Sequence, residues 1–324
     1  MKTRQRSEQI GKFRKYIRIM RLDHWIKQLF ILPGLMAAIL LTGTTLSMGL
    51  LFRFCVGFAA ACLIASANYV INEWLDAEFD KYHPTKKYRT AVTEGVSGRV
   101  VWTIWAFLSA FGFALSLLVN IPFLLMSISL WLMGLLYNVK PVRTKDVPIL
   151  DVLSESINNA IRLLGGWFAA SGSTLPPSSL LLGYWMAGAY LMATKRFSEY
   201  RMINDKTVAE RYRKSFKYYS EKSLLLTSFF YAMSSVFFLG VFLIKYRIEL
   251  VLLMPILIGL YSYYFYLSFA RDSAVQKPEK LFREKGLMLY CLIVIAVFAI
   301  LMIVDIPQLS VLADNTILSV PGFK

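Results

Sequence analysis

Long apolar runs alternate with shorter polar stretches along most of this chain. Runs near 20 residues are what a helix needs to cross the hydrocarbon core of a bilayer. Nine are read here, at about 29–49, 53–72, 100–119, 121–137, 156–171, 179–194, 223–244, 250–270 and 287–304. Open sheets and bare loops cannot satisfy their backbone in lipid, so the pattern predicts an all-α polytopic membrane protein with nine transmembrane helices. One membrane domain is expected over 29–304, between a basic segment (1–28) and a short external tail (305–324). Within the basic segment Ile10, Phe13, Ile17 and Met20 recur at helical spacing, which predicts a helix lying on an anionic leaflet.

Composition agrees, with 57% hydrophobic residues in 324. The net charge of +16 raises the question of nucleic acid, and its placement answers it. Of 36 Lys and Arg, 32 fall in segments 1–28, 73–99, 138–162, 195–222 and 271–286, leaving only Arg53, Lys245, Arg247 and Lys324 elsewhere. This alternation follows the positive-inside rule and predicts an integral cytoplasmic-membrane protein, N-terminus in the cytoplasm and C-terminus outside. With the charge explained by topology, no nucleic-acid partner is expected. Cys55, Cys62 and Cys291 lie in apolar runs without paired spacing, and the only histidines are His24 and His83, so a disulfide framework and a polyhistidine metal site are both excluded. The oligomeric state stays open, a homo-oligomer included.

Chemistry concentrates where apolar runs end. The stretch "NYVINEWLDAEFDKYHPTKKYRT" (68–90) packs four carboxylates and then four bases against the end of the second run. On a helix Asn72, Asp76 and Asp80 share one face, Glu73 lies beside it and Glu78 points away. Oxygen ligands on one stripe suit Mg²⁺, which also takes phosphate oxygens, and Glu73, Asp76 and Asp80 are its expected ligands. A solvated helix end is the plainer alternative. Pro84 disfavours helix beyond His83, so Lys86, Lys87 and Arg89 fall on a loop able to wrap a phosphate, or serve only as topology charge.

Segment 151–166, "DVLSESINNAIRLLGG", carries a stripe of Asp151, Glu155, Asn158, Asn159 and Arg162 that Gly165 and Gly166 continue. A charge such as Arg162 inside an apolar run marks a functional site by default. An ion pair with Glu155 and close packing at the glycines is the alternative. "ATKRFSEYR" (193–201) brings Lys195, Arg196 and Glu199 to another run's end, "YNVK" brings Tyr137 and Lys140, and "RLDHWIKQ" brings Arg21, Trp25 and Lys27 to the first run's entry.

These motifs together resemble the UbiA superfamily of intramembrane prenyltransferases, whose first acidic motif runs Asn-Asp-x-x-Asp-x-x-x-Asp; here it reads "NEWLDAEFD", with Glu73 at the first Asp. More narrowly they resemble its polyprenyl-phosphate phosphoribosyltransferase branch, the decaprenylphosphoryl-5-phosphoribose synthases. "HPTKKYR", "RLDHWIK" and "KRFSE" match that branch's motifs, with Leu22 for Pro and Phe197 for Tyr, and Asn158–Asn159 stand where a Gly-Phe pair is usual. The resemblance spans roughly residues 18–304. It implies a nine-helix bundle with a cytosol-facing, Mg²⁺-dependent site that moves 5-phosphoribosyl from phosphoribosyl diphosphate to a membrane polyprenyl phosphate. It implies catalytic roles for Lys27, Asn72, Glu73, Asp76, Asp80, Arg162 and Glu199. Substrate contacts would come from Lys86, Lys87, Arg89, Tyr137, Lys140, Asn158, Lys195 and Arg196. Two rivals remain: prenyl transfer from a prenyl diphosphate to an aromatic or other acceptor, and a transporter. The first would want two acids at the "KRFSE" helix end; the second would want charge through the whole membrane.

Overall fold

Apolar runs this long satisfy their own backbone as helices, and capping residues decide where each begins. The computed structural model describes residues 14–270, 273–276 and 278–312, and among these no strand occurs. The long helices are α1 (Leu32–Thr42), α2 (Met48–Asp80), α3 (Gly98–Val119), α4 (Ile121–Asn138), α5 (Leu150–Ala170), α6 (Ser178–Ile203), α7 (Glu221–Tyr246), α8 (Met254–Leu267) and α9 (Lys285–Ile303). Ser47, Asn120 and Ser220 accept from the backbone N–H three residues on and start α2, α4 and α7. Pro33, Pro122 and Pro255 stand in the first turns of α1, α4 and α8, where a missing N–H costs nothing.

Several boundaries differ from the sequence reading, two of them in the first two apolar runs. The first apolar run breaks at Gly43, whose left-handed backbone (φ 65°) ends α1, so residues 48–49 belong to the next helix. The second run continues as helix eight residues past 72, which puts the whole acidic stretch on α2. Ile10 and Phe13 of the expected leaflet helix lie outside the described residues. In its described part Ile19 is fully buried with Tyr16 and Met20 against α2 and α3, and Lys15 and Arg18 bond Gly95 O and Glu94.

Seven described segments are long and apolar enough to cross a membrane: Arg14–Thr42, Met48–Asp80, Gly98–Val119, Ile121–Asn138, Glu221–Tyr246, Ile248–Leu267 and Lys285–Ile303. The other two expected crossings correspond to α5 and α6, whose polar residues keep them out of that set. These two helices are instead the most enclosed. α5 packs on α1, α2, α4 and α6, and α6 packs on α7. α1 and α5 meet at glycines: a Cβ on Gly166 would stand 1.9 Å from Ile31 O, and one on Gly34 1.9 Å from Leu163 O. Only bare backbone fits such a crossing.

Candidate active site

At the end of the bundle where α2, α4 and α6 finish and α5 begins, side chains enclose a polar cavity of about 330 Å³. Below it lies an apolar chamber of about 640 Å³. Lys27, Tyr69, Asn72, Tyr137, Glu155 and Lys195 line both and form the throat between them.

The last turns of α2 present Asn72, Asp76 and Asp80 to the polar cavity, as the four-residue spacing requires. Asn72 Nδ2 donates to Asp76 Oδ2 (3.1 Å). Asp76 is paired with Arg143 (3.0 Å) and with Lys145, and Asp80 with Arg89 (2.6 Å). Glu78 is exposed. Glu73 is buried but does not line the cavity; its Oε1 accepts from Ala91 N (3.3 Å) and so holds the loop after α2. Among the described residues no three His, Cys, Asp or Glu side chains form a ready metal cage. Two carboxylates and an amide oxygen still fit Mg²⁺, which commonly takes one or two carboxylates and completes its shell with phosphate oxygens and water.

The loop 81–89 folds around His83. Its Nδ1 accepts from the backbone N–H of Thr85 and Lys86 (both 3.2 Å), which fixes Nε2 as the protonated nitrogen. Burial, then Lys86, pushes the imidazole down to about 3, so it stays neutral. Nε2 is buried without a partner among the described residues, and His83 lines the cavity. Lys86 donates to Glu199 (2.8 Å) and to Tyr212, while Arg89 reaches Asp80. Lys87 is exposed and lines neither cavity.

Lys140 is likewise exposed, and the bases that enter from that loop are Arg143 and Lys145. Arg143 turns inward on a left-handed backbone (φ 35°), with Nη1 donating to Asn138 O (3.1 Å). Lys145 donates to Asn138 Oδ1 (2.8 Å). Burial pushes the Lys145 ammonium down to about 8 against the pull of Asp76. Arg213 completes the cationic wall from the segment before α7. Arg143, Lys145, Arg213 and His83 all escape a sequence reading, which counts loop bases as topology charge. The crowding of Lys140, Arg143 and Lys145 directly after a helix end was the available signal.

On α6, Lys195 lines both cavities, whereas Arg196 and Glu199 are fully buried behind them. Arg196 bonds Glu155, Asp151 (3.4 Å) and Glu199 (3.3 Å); Tyr137 Oη donates to Glu155 (2.8 Å). Arg162 does not pair with Glu155. It lines the apolar chamber with Asn158, donating from Nε to Gln28 Oε1 (2.9 Å) and from Nη1 to Asn159 Oδ1 (3.1 Å). Trp25 pins the entry by donating to Ser66 Oγ (2.9 Å). The polar cavity thus gathers eight Lys and Arg (Arg21, Lys27, Lys86, Arg89, Arg143, Lys145, Lys195, Arg213) around four carboxylates (Asp76, Asp80, Asp146, Glu155). Such an excess of positive charge attracts polyanions.

Residues 30–293 match the UbiA prenyltransferase family. A decaprenyl-phosphate phosphoribosyltransferase of Mycolicibacterium smegmatis is 27% identical over 214 residues, 64% of this chain and 63% of that protein. Its namesake from Corynebacterium glutamicum is 27% identical over 216 residues, 63% of this chain and 59% of that protein. The matches thus span less than two thirds of these relatives' lengths. Among solved structures, a UbiA homologue from Archaeoglobus fulgidus bound to DMAPP and Mg²⁺ superposes with a TM-score of 0.65 at 19% identity, covering 90% of this chain and all of that one. The apo UbiA homologue of Aeropyrum pernix superposes at 0.60 with 21% identity, covering 86% of this chain and 98% of that one. A family match over most of the chain, on an all-helical fold of the same kind, makes this protein a member of the UbiA prenyltransferase family.

Proposed function

We propose that this protein transfers 5-phosphoribosyl from phosphoribosyl diphosphate to a membrane polyprenyl phosphate, at a site on the cytosolic face. The observation that carries this reading is the surplus of bases around a small polar cavity that joins a separate apolar chamber. A ribosyl donor charged at both ends suits the first, and the tail of a lipid acceptor suits the second. The relatives named decaprenyl-phosphate phosphoribosyltransferase support the same substrate pair.

Asp76 and Asp80 would hold Mg²⁺ together with the donor's diphosphate, and Arg143, Lys145 and Arg213 would meet the remaining phosphate charge. Mg²⁺ supplies charge neutralisation on the leaving diphosphate. Arg143, Lys145 and Arg89, which now pair with these carboxylates, would be free to turn towards the phosphates when the carboxylates hold the metal. Lys86, Arg89 and the His83 Nε2–H are the donors for the 5-phosphate. An oxygen of the acceptor phosphate attacks the ribose C1, and the C1–O bond to diphosphate breaks with its electron pair leaving on diphosphate. The attacking oxygen is already anionic, so no general base is needed. Fixed cations around the departing charge do the catalytic work.

Prenyl transfer is the second reading, because a prenyl diphosphate could fill both cavities at once, and the Archaeoglobus fulgidus homologue was solved with DMAPP and with GPP. The test is a donor screen with purified protein in lipid, supplying polyprenyl phosphate and Mg²⁺. Diphosphate release with phosphoribosyl diphosphate, and none with prenyl diphosphates, is the expected outcome. Turnover of a prenyl diphosphate alone would replace this reading with the second.

A further inference from the structure

We propose that Arg162 anchors the acceptor's phosphate, making the upper part of the apolar chamber a site for a lipid phosphate monoester. This assignment rests on the acceptor reading above and goes beyond it by naming the group that selects a phosphorylated lipid over its alcohol.

Three observations converge. First, Arg162 is a buried charge lining an apolar chamber, and no described carboxylate lies within ion-pair distance of it. A guanidinium so enclosed is costly unless an anion meets it. Second, among the described residues the only carboxylate lining that chamber is Glu155, which is already engaged by Arg196, Tyr137 and Lys195. Lys27 and Lys195, both in the throat, add to the positive charge above Arg162. Third, Arg162 is held ready. Gln28, fully buried, accepts from Nε, and Asn159 accepts from Nη1, which leaves guanidinium donors for a ligand.

The position fits an acceptor. Arg162 stands two turns beyond Glu155 on α5, about 10 Å along the axis. Side chains on a helix lean towards its N-terminus, and the bond to Asn159 shows the guanidinium reaching back towards the throat. A phosphate held there has Lys27 and Lys195 between it and the donor cavity. Its tail continues among Phe30, Tyr184, Tyr190, Tyr261 and Tyr264.

The experiment measures lipid binding to the full chain in nanodiscs of zwitterionic lipid. Probes are a polyprenyl phosphate, the matching polyprenol, phosphatidate and inorganic phosphate. Wild type should prefer polyprenyl phosphate over polyprenol at least tenfold. Arg162→Gln should erase the preference with polyprenol affinity retained, and Arg162→Lys should restore part of it. Retained calorimetric binding of phosphoribosyl diphosphate by Arg162→Gln would certify that the variant is folded. Equal loss of both lipids, or an undiminished preference in Arg162→Gln, overturns the assignment. So does displacement of polyprenyl phosphate by inorganic phosphate at equal concentration, whereas competition by phosphatidate, itself a lipid phosphate monoester, supports it. A wild type with the expected lipid preference but no affinity for phosphoribosyl diphosphate would refute the donor reading while supporting the role of Arg162. Phosphoribosyl transfer with an undiminished lipid preference in Arg162→Gln would do the reverse.

Discussion

Asp76 and Glu78 are two residues apart on one helix, and their surroundings could hardly differ more. Asp76 faces the polar cavity among Arg143 and Lys145, whereas Glu78 faces out. Asp76→Asn and Asp80→Asn are expected to lower turnover at least a hundredfold, and Glu78→Gln to change it less than threefold, in a diphosphate-release assay with Mg²⁺. Similar losses at positions 76 and 78 would remove the metal assignment. This contrast was legible in the sequence because helical periodicity alone decides which acids share a face. The same logic fails on loops. Lys87 and Lys140 were as plausible on paper as Lys86 and Lys145, yet they point to solvent, because the path of a loop is set by tertiary pairing rather than by period. Lys145 carries a pH signature of its own. Its folded value of about 8 lies below the usual lysine range. Below pH 8 both folded and unfolded chains hold the proton, and burial of the charge costs stability. Between about 8 and 10.4 the unfolded chain binds more protons, so stability contributed by this group rises with pH. On the proposed function activity would move the other way, since a neutral amine no longer holds phosphate. We expect kcat/KM for the donor to fall through an apparent value near 8, and Lys145→Arg, which keeps its charge, to carry that fall to higher pH. An alkaline limb indifferent to the substitution would dismiss Lys145 as its source.

At the scale of elements, α5 organises the site from both ends. Near its start, fully buried Asp151 accepts from Tyr219 Oη (2.7 Å) and Ser215 Oγ (3.0 Å), and pairs with Arg196 (3.4 Å) and Arg213 (3.6 Å). This one carboxylate fastens the segment before α7 onto the cavity wall. Replacing it takes from Arg213 its paired carboxylate and from Arg196 one of three, and breaking such a buried pair typically costs about 3–5 kcal/mol. Asp151→Asn should therefore lower the thermal midpoint in detergent and weaken donor binding as Arg213 loosens; an unchanged midpoint would deny Asp151 this fastening role. The sequence placed Asp151 on a polar stripe but offered no means to see what it fastens, since its partners lie 45 to 68 residues away. Arg162 shows the same limit. Its likeliest partner by spacing was Glu155, and the α1–α5 glycine crossing brings it Gln28 from 134 residues away instead.

For the molecule as a whole, the helical membrane class followed from run length alone, while the interior position of α5 and α6 did not. Their polar residues are affordable only because neighbouring helices shield them from lipid, a fact of assembly that no single segment encodes. The two cavities are likewise a product of assembly, with walls drawn from residues 21 to 291.

The apolar chamber counts Leu29, Phe30 and Phe282 among its walls, and these same side chains are also partly exposed on the outside of the protein. On the proposed function, a lipid tail would enter sideways from the bilayer while the donor arrives from water. The two substrates then obey different concentration scales. The donor is met per unit volume, and the acceptor per unit area of membrane. Diluting acceptor-bearing proteoliposomes tenfold with buffer, at constant donor concentration, should leave turnover per enzyme unchanged. Diluting the acceptor tenfold with inert phospholipid inside the same vesicles should slow it, by up to tenfold when the acceptor is far from saturating. Equal sensitivity to both dilutions would mean that the lipid arrives through water, and that these exposed side chains do not mark its entrance.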